Sequence, residues 1–286
     1  MTDWLHIRRG SALLIVSFPH TGTDIPESLQ PRLQSAWLAR QDTDWWVHEL
    51  YEEIARSLEA TTIRTAISRA VIDVNRAPDG ASLYPGQATT DLCPLTTFAG
   101  GSLYRAGLEP TAAEIAERRD RYFAPYHAAL AAEIERLRQL HGRVVLYDAH
   151  AIRSRIPRLF GGELPHLNIG THSNASCDVT LIRAVERACQ DPRFDSVTDG
   201  RFRGGWTTRH YGCPEREIHA LQMELACRGY LEEPLEEITP ENWPPPYDAG
   251  RAAPLRSVLT KVLEACLEFA SAGGTGSTPP ARARDS

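Results

Sequence analysis

The sequence predicts a single α/β domain in which one doubly wound, mostly parallel sheet is flanked by helices. Three observations predict it. Short apolar runs rich in β-branched residues and bounded by Pro or Gly recur along the chain, the composition of strands buried on both faces. Segments with apolar residues at helical spacing alternate with those runs, an order that builds βαβ units. The chain has 286 residues, 42% hydrophobic and 24% charged, enough for one sizeable soluble core.

The first strand is Ala12-Leu-Leu-Ile-Val-Ser17, followed by Phe-Pro-His20-Thr-Gly. A helix is predicted from Thr43 to about Leu58. Val47, Leu50, Tyr51, Ile54 and Leu58 recur at its spacing, and Asp42, Thr43 and Asp44 suit its start. Thr61–Ala66 and Ala70–Val74 have strand composition. Residues 76–108, with many Gly, Pro and Thr, predict a long loop, and loops of that length in compact domains are usually functional. Thr111-x-x-Glu114 is a capping box that opens a long helical segment, kinked or split near Pro125 and stopped by Gly142. Arg143-Val-Val-Leu-Tyr147 is the next strand, followed by Asp-Ala-His150. Further on come a helix over about 174–189, a strand at Ile218–Leu225, a Pro-rich extended stretch at 234–254, and a last helix over about 255–270. The domain is expected to span 1–271, and the Gly- and Pro-rich end, 272–286, to be a disordered tail.

A net charge of −6 offers no basic stripe, which weighs against nucleic acid as a partner. Lys261 is the only lysine among 31 basic residues, so nearly all cationic contacts must come from arginine, the residue suited to forked capture of carboxylates. No stretch has the length of an apolar membrane span, and the first residues lack the basic-then-apolar order of a secretory signal. The six cysteines form no C-x-x-C pair, so neither a disulfide framework nor a thiolate metal site is indicated. A cytoplasmic protein is expected.

Two histidines carry the strongest chemical signal. His20 and His150 each follow a strand run, and ligands of open α/β sheets bind outside the carboxyl ends of the strands. A catalytic zinc takes three protein ligands, often two histidines and a carboxylate. Asp44 is a candidate for the third, with Asp42 and Asp24 as competitors. Asp148, two residues before His150, suits an orienting role instead. Arg69, Asp73, Asn75 and Arg76 surround a short apolar run, and an adjacent Asn-Arg pair can clamp a carboxylate with a fork and an amide donor. Glu224 alternates with Leu221, Met223 and Leu225. Taken alone it fits the solvated face of an edge strand; beside a metal-activated water it would be a suitable general base. Arg153 and Arg209, in polar loop clusters, could supply a further carboxylate contact. There is no G-x-S-x-G elbow and no Gly-rich phosphate loop.

Taken together, Ser17-Phe-Pro-His-Thr-Gly-Thr-Asp-Ile-Pro26, Asp42-Thr-Asp-Trp-Trp-Val-His-Glu-Leu-Tyr51, Ser68-Arg-Ala-Val-Ile-Asp-Val-Asn-Arg76, Asp148-Ala-His150 and His219-Ala-Leu-Gln-Met-Glu224 closely resemble the N-formylglutamate amidohydrolase family. The resemblance covers the chain from about residue 10 to 270. It implies a zinc-dependent exopeptidase-like α/β fold and hydrolysis of N-formyl-L-glutamate to formate and L-glutamate in histidine degradation. The Asp-Val-Asn-Arg76 stretch is also similar to that of aspartoacylase-type hydrolases, which implies that Asn75 and Arg76 hold an α-carboxylate and that Arg69 is a further substrate-side arginine. The H-x-x-E pair of those relatives is absent, since Thr23 stands three residues after His20. In that respect the chain is closer to cell-wall amidases, which favours Asp44 as the second ligand, with Asp42 as the alternative. The expected set is then His20, Asp44 and His150 on one Zn2+, with Glu224 as base and Arg69, Asn75, Arg76, Arg153 and Arg209 available to a dicarboxylate substrate. Rival expectations are a deacylase for another N-acyl amino acid, a cell-wall amidase, or a non-catalytic module that binds acidic amino acids.

Overall fold

The computed structural model describes residues 3–81 and 90–272. Residues 273–286 of the expected tail, and part of the predicted 76–108 loop, lie outside the described residues.

Seven strands form one sheet: β1 (Leu5–Arg8), β2 (Leu14–Phe18), β3 (Thr61–Thr65), β4 (Val144–Ile152), β5 (Leu167–Gly170), β6 (Ser196–Thr198) and β7 (Ile218–Ala226). Their spatial order is β1-β3-β2-β4-β7-β5-β6. The central four, β3, β2, β4 and β7, are parallel to one another. β1 joins β3, and β5 joins β7, in antiparallel fashion, while β6 runs parallel to β5. The sheet is therefore mixed, with a parallel centre and a reversed flank on each side. The flanking strands escape a search for apolar runs because they are short and partly polar: Leu-His-Ile-Arg for β1, Leu-Asn-Ile-Gly for β5, Ser-Val-Thr for β6.

The helices are α1 (Ala36–Arg40), α2 (Val47–Ser57), α3 (Ala112–Arg118), α4 (Ala124–His141), α5 (Val179–Ala188), α6 (Trp206–Tyr211) and α7 (Ala249–Ala272). Successive strand residues point to opposite faces, and the core divides accordingly. Leu14 and Val16 of β2, Val145 and Tyr147 of β4, and Leu221 and Met223 of β7 face α2, α5 and α7. Ile15, Leu146 and Ala220 face the other way, towards a second cluster that includes Leu130 and Ile134 of α4. Burying one such aliphatic side chain contributes about 1.5–3 kcal/mol.

Several elements differ from their sequence expectation. The helix predicted from Thr43 begins at Val47, because Trp46 adopts a left-handed conformation (φ 62°) that breaks the helical path. Ala70–Val74 is a buried turn, not a strand: the Val71 and Ile72 amides donate to the Ser68 carbonyl and the Asp73 amide to that of Leu92. Its apolar residues are buried on all sides, and such a run has the same composition as a strand. The long helical segment is interrupted by a π-turn at Arg119–Phe123, directly ahead of Pro125. The last helix starts at Ala249, with the Asp248 carboxylate accepting from the amides of Gly250 and Arg251. β4 extends past Tyr147 to Ile152, so His150 stands inside a strand. No described helix is long and apolar enough to cross a membrane.

Leu259 of α7 is fully buried against the sheet. Leu259→Ala is expected to lower the unfolding free energy by about 2–5 kcal/mol, measured by urea denaturation; a loss below about 1 kcal/mol would contradict this packing.

Candidate active site

The two-residue period of β4 and β7 builds the floor of a cleft. Asp148 and His150 project from β4 on the face opposite Val145 and Tyr147, and Gln222 and Glu224 project from β7 opposite Leu221 and Met223. Register aligns them: Ser17, Asp148 and Gln222 form one cross-strand row, and His150 pairs with Glu224 further along. All five are buried, Glu224 at 7% exposure being the most accessible. β7 lies between β4 and β5, so Glu224 does not occupy the solvated face of an edge strand.

Two connections complete the site. The chain leaving β2 carries His20, whose carbonyl accepts from the Asp44 amide at 3.0 Å. The left-handed turn at Trp46 thus lets Asp44 sit beneath His20 instead of inside α2. The buried turn after β3 supplies Arg69, Asp73, Asn75 and Arg76. The Asn75 amide donates to Asp73 Oδ1 at 2.9 Å, which fixes the turn.

His20, Asp44 and His150 each bring a ligand atom to within 4.8 Å of the others. Both imidazoles direct Nδ1 at Asp44 Oδ2, at 3.7 Å from His20 and 3.0 Å from His150. Their Nε2 atoms are bound elsewhere, His20 to Asp73 Oδ1 at 2.6 Å and His150 to Asp148 Oδ2 at 2.9 Å. A carboxylate behind each imidazole fixes its orientation and makes the opposite nitrogen a better donor, the usual support for a metal-ligating histidine. Asp148 is itself held by Ser17 Oγ at 2.5 Å and by the Asn75 amide at 3.0 Å. Two imidazoles and one carboxylate, buried and converging, have the donor chemistry of a divalent transition-metal site. Asp42 and Asp24 are not in this group. Asp42 accepts from the Phe98 amide and from Arg153, and Asp24 is exposed.

The electrostatics separate the carboxylates into two kinds. Burial alone would raise Asp44, but the hydrogen bond from His150 and the neighbouring His20 imidazole outweigh it and hold this carboxyl below its ordinary range. Burial is likewise overcome at Asp73, by the charges of His20, Arg69 and Arg76. Glu224 goes the other way: burial pushes it up to about 7, against the opposing pull of His150.

The floor opens into a cleft lined by His20, His150 and Glu224 and by Arg69, Asn75, Arg76, Phe98, Arg201 and Phe202 among others. Arg69 is bound to Asp44 at 3.4 Å and to Asp73 at 2.9 Å, with its guanidinium 4.7 Å from the centre of the Phe98 ring. Arg76 binds Thr90 through its carbonyl and hydroxyl oxygens. The Asn75 amide is engaged at both ends, its oxygen accepting from the Thr207 amide at 2.8 Å. Arg153 and Arg209 are not in the cleft wall: Arg153 pairs with Asp42 at 3.3 Å, and Arg209 donates to the Gly204 carbonyl at 2.9 Å. Sequence reasoning missed Arg201, Phe202 and Gln222. The Gln222–Glu224 spacing was the available signal, since a period of two puts both on one face; nothing local distinguishes Arg201 from its neighbours.

A converged His–Asp–His donor set with a buried carboxylate beside it, at the carboxyl edge of a parallel sheet centre, is the layout of a hydrolase. The comparisons with known proteins agree. Residues 12–231 match the family model for N-formylglutamate amidohydrolase, and the chain belongs to that family. It is 40% identical over 270 residues to an N-formylglutamate deformylase of Pseudomonas putida, covering 94% of this chain and 97% of that one. The deformylase of Pseudomonas aeruginosa is also 40% identical, over 274 residues, with 94% and 98% covered. The crystal structure of N-formylglutamate amidohydrolase from Ralstonia eutropha JMP134 shares the fold, with a TM-score of 0.76 at 22% identity over 94% of this chain and 99% of that one. An Agrobacterium tumefaciens protein shares it at 0.70 and 15% identity, over 93% and 95%.

Gly205 has no room for a side chain, since an added Cβ would lie 2.4 Å from the Asn75 amide nitrogen. Gly205→Ala is expected to cost about 1–3 kcal/mol by overpacking, read from the urea midpoint. Gly161→Ala, where nothing lies within 4 Å, should leave the midpoint unchanged. Equal midpoints for the two variants would refute the contact.

Proposed function

We propose that this protein is a zinc-dependent N-formylglutamate deformylase that releases formate and L-glutamate from N-formyl-L-glutamate, a late step of histidine degradation, in the cytoplasm. One observation carries the reading: Glu224 stands in register with His150, beside the converged atoms of His20, Asp44 and His150. The 40% identity to proteins named as deformylases supports the choice of substrate.

A zinc ion held by His20, Asp44 and His150 would polarise the formyl carbonyl and lower the pKa of a water from about 15.7 towards about 7. Glu224 takes the proton of the attacking water and returns it to the departing amine nitrogen. A carboxyl raised by burial to about 7 suits both steps, because it gains and loses a proton readily near neutrality. Asp73 and Asp148 hold the two imidazoles in place throughout. Arg76, with Asn75 beside it, is the candidate for the α-carboxylate. Arg201, on the cleft wall, replaces Arg153 and Arg209 as the candidate for the side-chain carboxylate. Arg69, fixed between Asp44 and Asp73, adds a buried positive charge that favours an anionic substrate over a neutral one.

Removing metal with a chelator is expected to abolish formate release from N-formylglutamate, and adding zinc to restore it; full turnover by metal-free protein would refute the ligand assignment. Glu224→Gln should lower kcat by about 10²–10⁴-fold while zinc content, read by elemental analysis, stays at the wild-type level. Unchanged kcat would remove Glu224 from the role of base.

A further inference from the structure

Gln222 precedes Glu224 by two residues in β7, so both side chains leave the same face and line the same cleft. Gln222 is buried, at 4% exposure, and both ends of its amide are engaged. Its Oε1 accepts from the Gly205 amide at 2.7 Å, and its Nε2 donates to Glu224 Oε2 at 2.9 Å. The first bond determines the second: with a backbone N–H facing one end, that end must be the oxygen, and the NH2 group must face the carboxylate. Asn75 repeats the device. Its Oδ1 accepts from the Thr207 amide, and its Nδ2 donates to Asp148. The backbone entering α6 thus orients two amides, and each passes one donor to a carboxylate of the site.

We infer that Gln222 is the positioning residue of Glu224: anchored by Gly205, it holds Oε2 and leaves Oε1 as the oxygen that meets the reacting proton. The inference rests on the reading of Glu224 as the base. Gln222 binds Oε2 and not Oε1, on a side chain that lines the cleft. A carboxylate at the end of a flexible side chain turns readily about its last torsion. One charge-assisted bond to a fixed donor confines that rotation and sets the approach of the working oxygen. In the proposed binding mode Arg76 and Arg201, not Gln222, hold the substrate's carboxylates, so Gln222 should influence turnover and leave binding almost unaffected.

The test measures formate release by the zinc-loaded full chain with N-formylglutamate, comparing wild type, Gln222→Met, Glu224→Gln and the double variant. Methionine has similar bulk and can neither anchor to Gly205 nor donate to Glu224. The expected result for Gln222→Met is a fall in kcat of about 10–100-fold, the scale of a misplaced reacting group, with KM within about twofold of wild type and zinc content unchanged. Added to Glu224→Gln, the substitution should lower kcat by less than about twofold more, since its effect passes through a group already disabled. Wild-type kcat in Gln222→Met overturns the inference, and so does a double variant in which the two losses multiply. Should Gln222→Met fail to fold, Gln222→Glu carries the test. It keeps an acceptor for Gly205 but has no donor for Glu224 when ionised, and unchanged kcat there is equally fatal. Full turnover by Glu224→Gln on its own would instead overturn the base assignment, and this inference with it.

Discussion

The whole site depends on keeping four carboxylates, Asp44, Asp73, Asp148 and Glu224, inside one buried layer. An isolated carboxylate costs several kcal/mol to bury, and several together are tolerated only where hydrogen bonds and positive charge surround them. The chain meets this in stages. Ser17 and Asn75 donate to Asp148, Arg69 binds Asp44 and Asp73, and Gln222 donates to Glu224. Both histidines lie between carboxylates. Two guanidinium groups, those of Arg69 and Arg76, balance the acidic layer in part, and a divalent cation at the convergence of His20, Asp44 and His150 is a natural complement. The same charge balance explains why Glu224, the carboxylate with the fewest donors, is the one burial pushes towards neutrality.

Sheet topology gives that layer its dryness. A strand at the margin of a purely parallel sheet would present Glu224 to water. Here β5 turns back against β7, and the Asn168 side-chain amide donates to the Glu224 carbonyl at 3.0 Å, so Glu224 sits on an interior strand. The reversed flank therefore shapes the site as well as the fold. The short entry to α6 serves on the other side of the cleft, where Gly205 packs against Asn75 so closely that no side chain fits.

What could be read from the chain alone follows a clear physical division. β2, β4 and β7 are apolar runs that signal burial directly, and α2 and α5 carry strong one-sided periodicity, so their existence was predictable. His20, Asp44 and His150 follow from the ends of such elements together with a family resemblance, and the structure brings a ligand atom of each to within 4.8 Å of the others. The failures share a cause. β1, β5 and β6 are held by hydrogen bonds to neighbours distant in sequence, and Ala70–Val74 is apolar because of what surrounds it, not because of its own conformation. Charge alone does not give the direction of a side chain: Arg153 pairs with Asp42, and Arg209 donates to the Gly204 carbonyl. Beyond its spacing from Glu224, Gln222 gives no signal in the sequence, because a neutral amide has none until its partners are known.

The row Ser17–Asp148–Gln222 joins side chains 131 and 74 residues apart. No contiguous portion of the polypeptide holds even a rudimentary version of it. Competence must therefore emerge abruptly, only when the last central strand docks, and a nascent or cleaved chain lacking that strand would be inert however much native structure it had acquired. In such an architecture, turnover is itself a gauge of complete folding.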